Sequence, residues 1–227
     1  MIRKAIIGLT LLILIFTEKA YSQNFDIGIT FAGTKYYMPS DDFIDMHPMY
    51  TRTAKNPLNF QGGVYGRYYL NEKISVAQEI AYGSHIIKWE LKRNNVEYGN
   101  ARYYIRQLLL PTFVTYHTSR FNFSAGHQLA LTINQTPTLR KSLFVGQMGD
   151  NSGTMIKKAF SEALVEAEII CSEKVSFYVR SNISLGKITR AGFNGVVYES
   201  NHNSTGRYGI NLGLKATLAK VRHYKFD

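Results

Sequence analysis

The chain of 227 residues has one cysteine, Cys171, and five prolines. A single cysteine excludes an intramolecular disulfide and a cysteine metal cluster, so the fold must be stabilised by something other than crosslinks. No Pro-rich or Ser-rich linker divides the sequence, and the ~205 residues that follow a leader suit one domain. Past Phe16 there is no long uninterrupted apolar run, which argues against a helical membrane span. No glycine-rich phosphate loop follows a strand and opens a helix, which leaves nucleotide binding unsupported. Gly62-Gly63 and Gly126 read instead as glycines that ease sheet curvature. Histidine and acidic residues do not take metal-ligand spacing, so neither metal nor cofactor is expected.

What is present begins with Arg3 and Lys4, the apolar run Ala5 to Phe16, and the small residues of Ala20-Tyr21-Ser22. This is the pattern of a secretory signal peptide cleaved after Ser22. As a membrane anchor, about a dozen apolar residues fall short of the ~20 a spanning helix needs. The expected organisation is therefore a signal peptide over 1–22 and a single mature domain over 23–227. The formal charge is +11, and without the leader it is near +9. On an exported chain that balance suits anionic lipid headgroups or lipopolysaccharide phosphates better than nucleic acid.

After the leader the chain alternates. Phe25, Ile27, Ile29, Phe31 and Tyr37 oppose Asp26, Gly28, Thr30, Ala32 and Thr34, a period-2 strand signal. A second segment, 57–70, sets Leu58, Phe60, Val64, Tyr68 and Leu70 against Asn59, Gln61, Tyr65, Arg67 and Tyr69. A third, 74–88, sets Ile74, Val76, Ile80 and Tyr82 against Ser75, Ala77, Glu79, Ala81 and Gly83. In the fourth, 103–117, three consecutive leucines precede Pro111, which cannot donate a ladder hydrogen bond, and a bulge is expected there. The fifth, 121–133, puts Phe123, Ala125, Leu129 and Leu131 opposite Asn122, Ser124, Gly126, Gln128 and Thr132.

The sixth segment, 160–170, opposes Ala163, Val165, Ala167 and Ile169 to Glu162, Glu166 and Glu168, with Leu164 breaking the polar row. Helix is the competing reading there. The seventh opposes Val175, Phe177, Val179, Ile183 and Leu185 to Ser176, Tyr178, Arg180, Asn182 and Ser184. The eighth opposes Tyr208, Ile210, Leu212, Leu214 and Leu218 to Arg207, Gly209, Asn211, Gly213, Lys215 and Thr217. Connections alternate between tight turns of about 3 residues, at 71–73, 118–120 and 172–174, and loops of about 12 to 25, against typical hairpin loops of ~2 to 5. Two tight turns nearly repeat, Asn71-Glu72-Lys73 and Ser172-Glu173-Lys174, as an up-and-down meander requires.

Alternation alone does not say which row meets lipid. An exported leader, long and short loops in alternation and an even strand count together match a transmembrane barrel, and the strand lengths suffice to cross hydrocarbon. Closing the sheet satisfies every backbone group without water. The expected fold is therefore all-β, an eight-stranded antiparallel up-and-down transmembrane β-barrel of the outer membrane of a Gram-negative bacterium. Its aliphatic row faces acyl chains. Tyr36, Tyr37, Tyr68, Tyr82, Tyr116 and Tyr208, near strand ends, are read as an interfacial aromatic belt.

Three stretches carry a family resemblance: "FDIGITFAG" after the leader, "QLLLPTFVTY" at 107–116, and "FNFSAGHQLAL" at 121–131. With them the mature chain resembles the PorT-like outer-membrane β-barrels common in Bacteroidota. Arg180 in "SFYVRSN" sits where that family tends to place an inward arginine. The resemblance implies a part in protein secretion across the outer membrane, with envelope or secretion proteins as partners. The chain departs from the family in lacking an acidic residue before Pro111 and in ending "HYKFD", so Phe226 is not terminal.

An eight-stranded barrel has room for side chains but not for an open aqueous channel. Charges in such an interior must pair, so Glu79, Glu162 and Glu166 are expected to face Arg67, Arg180 and Lys215 in a structural network. The basic residues Lys92, Arg93, Arg140, Lys141, Lys157 and Lys158, with Lys88, Arg102, Arg106 and Arg190, are assigned to the long loops. There they would contact lipopolysaccharide. Enzymatic activity is not expected. The alternative is a lipid A-modifying hydrolase, for which His202-Asn203-Ser204 with Glu199 is the one suggestive pattern. His127 falls on the lipid-facing row, where a protein contact suits it better than a metal.

Overall fold

The structure, a computed structural model, describes residues 24–37, 50–55, 57–93, 96–140, 157–186, 188 and 206–221. The segments 1–22, Lys141 and Glu199 to Ser204 lie outside the described residues, as does Arg190. Nine strands are present among them: β1 (Phe25–Tyr37), β2 (Tyr50–Lys55), β3 (Asn59–Tyr69), β4 (Ile74–Arg93), β5 (Val96–His117), β6 (Phe121–Arg140), β7 (Ala159–Ile170), β8 (Val175–Ser184) and β9 (Tyr208–Val221). Eight of them pair antiparallel with their chain neighbours, and β1 pairs with β9, which closes the sheet into an up-and-down barrel. Closure leaves no barrel edge unpaired. The 160–170 segment is strand rather than helix because its inward glutamates follow a period of two.

β2 was not anticipated. It lies in what reads as a long polar loop and pairs with the far end of β4, from Lys88 to Arg93. The connection expected from about Leu91 to Asn100 is likewise mostly ladder, since β4 runs to Arg93 and β5 begins at Val96. Lys88, Lys92 and Arg93 therefore stand on β4, Arg102 and Arg106 on β5 and Arg140 on β6, not in loops. These extensions lack strict apolar alternation, so period alone could not find them. Lys157 and Lys158 do lie in a connection, just before β7.

The bulge expected at Pro111 is absent. The register of β5 does not shift at Pro111, although its ladder with β4 skips Leu110 and Pro111; the registers shift instead between Arg106 and Gln107 against β6, opposite Ile133, and between Leu91 and Lys92 in the β4–β5 pair. The gap left by the missing proline N–H is filled by a side chain: Gln78 Nε2 donates to the carbonyl oxygens of Glu79 (3.1 Å) and Pro111 (3.0 Å). Thr112 Oγ1 in turn donates to Gln78 Oε1 at 2.6 Å. An orphaned strand carbonyl inside the wall would cost ~1 to 3 kcal/mol, which accounts for a glutamine on an otherwise apolar row.

The aliphatic rows face outward. Ile29, Phe31, Val64, Val165, Phe177, Ile183 and Leu212 are 45–65% exposed or close to it, Leu212 being at 61% and Ile29 at 46%. The polar rows point to the centre, where Arg180, Glu79 and Glu162 are at most 1% exposed. This is the inverse of a water-soluble barrel and the pattern of one that meets hydrocarbon. Tyr37, Tyr68, Tyr82, Tyr116 and Tyr208 belong to the outer row, but Tyr36 does not: it is 6% exposed, inside the barrel, because its neighbours Tyr37 and Lys35 take the outward positions.

Inward rings are accommodated by inward glycines on the adjacent strand. Tyr65 pairs with Gly28, Tyr178 with Gly213 and Tyr36 with Gly209. A Cβ on Gly28 would stand 2.5 Å from the Tyr65 ring and 2.3 Å from the Ala216 carbonyl oxygen. Only glycine lets these rings lie flat on the wall.

Candidate functional site

Among the described residues, chemistry-bearing side chains converge in the barrel interior. It holds the buried cations Arg67, Arg180, Arg207 and Lys215 and the buried carboxylates Asp26, Glu79, Glu162, Glu166 and Glu168. Each reaches the centre because it occupies an inward position of a period-2 strand. Along β7 the inward row reads Phe160, Glu162, Leu164, Glu166 and Glu168.

Arg180 is the hub of the larger cluster. Its Nη2 donates to Glu79 Oε1 and Oε2 at 2.7 and 2.9 Å, and its Nε and Nη2 donate to Glu166 Oε2 at 2.8 and 2.6 Å. The guanidinium lies over the Phe113 ring at 4.7 Å and the Tyr178 ring at 4.8 Å. Planar charge between two aromatic faces gains cation–π attraction as well as hydrogen bonds. Lys215 Nζ donates to Glu166 Oε1 at 2.5 Å and stands 3.4 Å from Glu79 and 3.9 Å from Glu168. Glu168 closes the chain by accepting from Arg67 Nη2 at 2.8 Å and from Ser176 Oγ at 2.5 Å.

Glu162 belongs to a second cluster. It accepts from Arg207 Nε at 2.8 Å and from Gln128 Nε2 at 2.5 Å, while Arg207 Nη1 donates to Gln107 Oε1 at 3.0 Å. Leu164, between the two clusters in the inward row, packs with Ala77 and Phe113 as a small apolar patch. Of the six residues expected to form one network, Glu79, Glu166, Arg180 and Lys215 meet directly. Arg67 joins only through Glu168, and Glu162 pairs elsewhere. Arg207 and Glu168 are partners that sequence reasoning left out of the network. Both stand on the inward rows already read from the alternation, which is the signal that could have included them.

Arg207 lies 4.0 Å over the Tyr36 ring and 4.7 Å over that of Phe160, and His85 meets the same Tyr36 ring edge-on with centroids 4.6 Å apart. Arg207 Nη2, both His85 ring nitrogens and Asn182 Nδ2 have no protein hydrogen-bond partner. Buried groups of this kind are met in native interiors by bound water or a small polar solute. Near the tight turns, Asp26 accepts from the Tyr69 hydroxyl at 2.8 Å, and His117 bridges Ser75 and Asn122 at 2.7 and 2.8 Å.

Among the described residues no group of three or more His, Cys, Asp or Glu side chains could hold a metal ion. Cys171 is free and exposed in the turn before β8. Of the basic residues assigned to lipopolysaccharide, Lys158 is exposed and Lys157 half-buried. The interior can pair charge and fix one strand to another.

No protein-family model matches the chain, and no curated protein matches it. Among solved structures it is similar to the outer membrane protein OprG from Pseudomonas aeruginosa, at 12% identity over 88% of this chain and 97% of that one, with a TM-score of 0.44. It is similar to Neisserial surface protein A (NspA), at 10% identity over 86% and 97%, with a TM-score of 0.44. It is also similar to the outer membrane protease OmpT from Escherichia coli, at 10% identity over 88% and 98%, with a TM-score of 0.39. Likeness of fold does not carry an activity from one barrel to another.

Proposed function

We propose that this chain is a non-enzymatic outer-membrane barrel whose work is structural or is done through contacts of its long-loop end. One observation carries the reading: the apolar rows are all outside and the interior is filled by ion pairs. A barrel filled in this way pairs its inward charges with one another. What remains to meet partners is the end where β4, β5 and β6 extend past the shorter β7 and β8. Lys92, Arg93, Arg140, Lys157 and Lys158 belong to or adjoin those strand ends, and we assign them, together with Lys141, to lipopolysaccharide phosphates. Each exposed pair adds ~0 to 1 kcal/mol.

The PorT-like resemblance supports a finer reading, a role in protein secretion with envelope proteins as partners. Fractionation with heat-modifiable gel mobility tests the location: a membrane-bound species that shifts on boiling is expected, and a freely soluble periplasmic one refutes it. Deletion of the gene should block export of secreted cargo, and unchanged export refutes the secretion role. Ser204→Ala and His202→Ala should leave lipid A the same as in the parent strain. A change in lipid A that depends on either residue would favour the hydrolase alternative.

A further inference from the structure

The Glu162–Arg207 cluster does not use all of its donors. The Arg207 guanidinium lies 4.0 Å over the Tyr36 ring, and the His85 imidazole meets the same ring edge-on with centroids 4.6 Å apart. Asn182 borders that ring across the bare wall at Gly209, where a Cβ would stand 2.5 Å from Asn182 Oδ1 and 2.7 Å from Tyr36. Arg207, His85 and Asn182 are 3%, 2% and 1% exposed. Even so, Arg207 Nη2, Asn182 Nδ2 and both nitrogens of His85 have no protein hydrogen-bond partner.

The imbalance has a sign. Arg207 Nη2, Asn182 Nδ2 and a neutral His85 together bring roughly five N–H donors. Against them stand two acceptors, the second imidazole nitrogen and Gln61 Oε1, which is unpartnered on β3 two rungs from His85. Water brings as many donors as acceptors and leaves the surplus unchanged, whereas a carboxylate only accepts, at about four positions. The Arg180 cluster differs. Its two unmet atoms are one donor, Arg67 Nε, and one acceptor, Asp26 Oδ1, on residues that face each other across β1 and β3, so a single water suits both.

We propose that Tyr36, His85, Asn182 and Arg207 form a binding site for a small monocarboxylate at the long-loop end of the barrel. Tyr36 is the last residue but one of β1 and Arg207 immediately precedes β9, so the site stands where those strands meet their long connections. Glu162 does not forbid an anion there, because its own oxygens are met by Arg207 Nε and Gln128 Nε2. The guanidinium is held between the Tyr36 and Phe160 rings, the latter at 4.7 Å, and so offers Nη2 without reordering when the ligand arrives. The chain's formal charge of +11 draws anions toward it.

The site is independent of the loop contacts proposed above, and its test uses the full chain refolded in neutral detergent, with heat-modifiable mobility reporting the closed barrel. Acetate is the probe, exchanged for sulfate at constant ionic strength. The unfolding temperature of the parent should rise saturably with acetate, by about 3 to 6 °C at roughly ten times the dissociation constant. His85→Phe keeps a ring against Tyr36 without its nitrogens and should weaken acetate binding about tenfold. Asn182→Asp puts a carboxylate of the chain's own beside the site, still accepts from Asn211, and should abolish the response. Val165→Ala on the outer wall should retain it. Line broadening of labelled acetate in NMR reads binding directly in any variant whose unfolding temperature has itself moved. A closed parent barrel with no saturable acetate effect, or an effect that survives both interior substitutions, overturns the proposal and leaves the membrane reading intact. Equal binding of acetamide, which is uncharged and brings donors of its own, overturns it as well.

Discussion

Arg180 of β8 and Glu79 of β4 are 101 positions apart in the chain and meet inside the barrel at 2.7 Å, both 1% exposed. They tie together walls that share no backbone hydrogen bond, since β4 pairs only with β2, β3 and β5. Removing one partner leaves a buried charge uncompensated, at a cost of ~3 to 5 kcal/mol. Arg180→Met should lower the unfolding free energy of the barrel, read from denaturant titration, by that amount. Arg180→Lys should recover only part of it, because an ammonium cannot lie flat between Phe113 and Tyr178 while serving two carboxylates. Equal stability of Arg180→Lys and the parent would show that the fork geometry contributes nothing.

Glu162 and Arg207 form a separate cluster, which predicts near-additive energetics. Substitutions Glu162→Gln and Glu79→Gln should add within ~0.5 kcal/mol in a double-mutant cycle, as independent sites do. Glu79→Gln with Arg180→Met should be strongly non-additive. Urea titration of the four variants in detergent measures both, and strong coupling between Glu162 and Glu79 would mean one network rather than two.

Gln78 supplies the donor that Pro111 lacks. Gln78→Leu should cost ~1 to 3 kcal/mol in the parent. In a Pro111→Ala background, where an N–H is restored to the ladder, the same substitution should cost clearly less. Thermal unfolding of the two pairs decides it.

Adjacent glycines should behave oppositely. A Cβ on Gly62 meets nothing nearer than 3.5 Å, whereas one on Gly63 would stand 2.2 Å from the Ile80 carbonyl oxygen. Gly62→Ala should be tolerated. Gly63→Ala should destabilise by ~1 to 3 kcal/mol, the range for overpacking, and reduce refolding yield on gels.

The outward row offers a test of the solvent itself. Val165 is 59% exposed near the middle of β7. Val165→Arg should cost ~2 to 4 kcal/mol for the barrel folded in vesicles. If that face met water, the substitution would be close to neutral.

Much of this architecture is legible in the chain because a strand's period is two. The inward and outward rows of β1, β3, β4 and β8 follow from alternation alone, and so do the inward positions of Arg67, Glu79, Arg180 and Lys215. The extension of β4 to Arg93 and of β5 back to Val96, and the presence of β2, are not legible, since beyond the apolar band neither face needs to be hydrophobic. The inward position of Tyr36 is legible as well: with Tyr37 on the outer row, a period of two places Tyr36 inside, so only one of the two tyrosines that end β1 can join an interfacial belt.

By itself the sequence determined the number of barrel strands, their faces and the sign of charge each contributes to the interior, because those are properties of local alternation. Which carboxylate meets which cation was decided only on closure. Strand register and stagger around the ring bring Glu79 to Arg180, and Glu162 to Arg207, across distances in the chain that no local pattern spans.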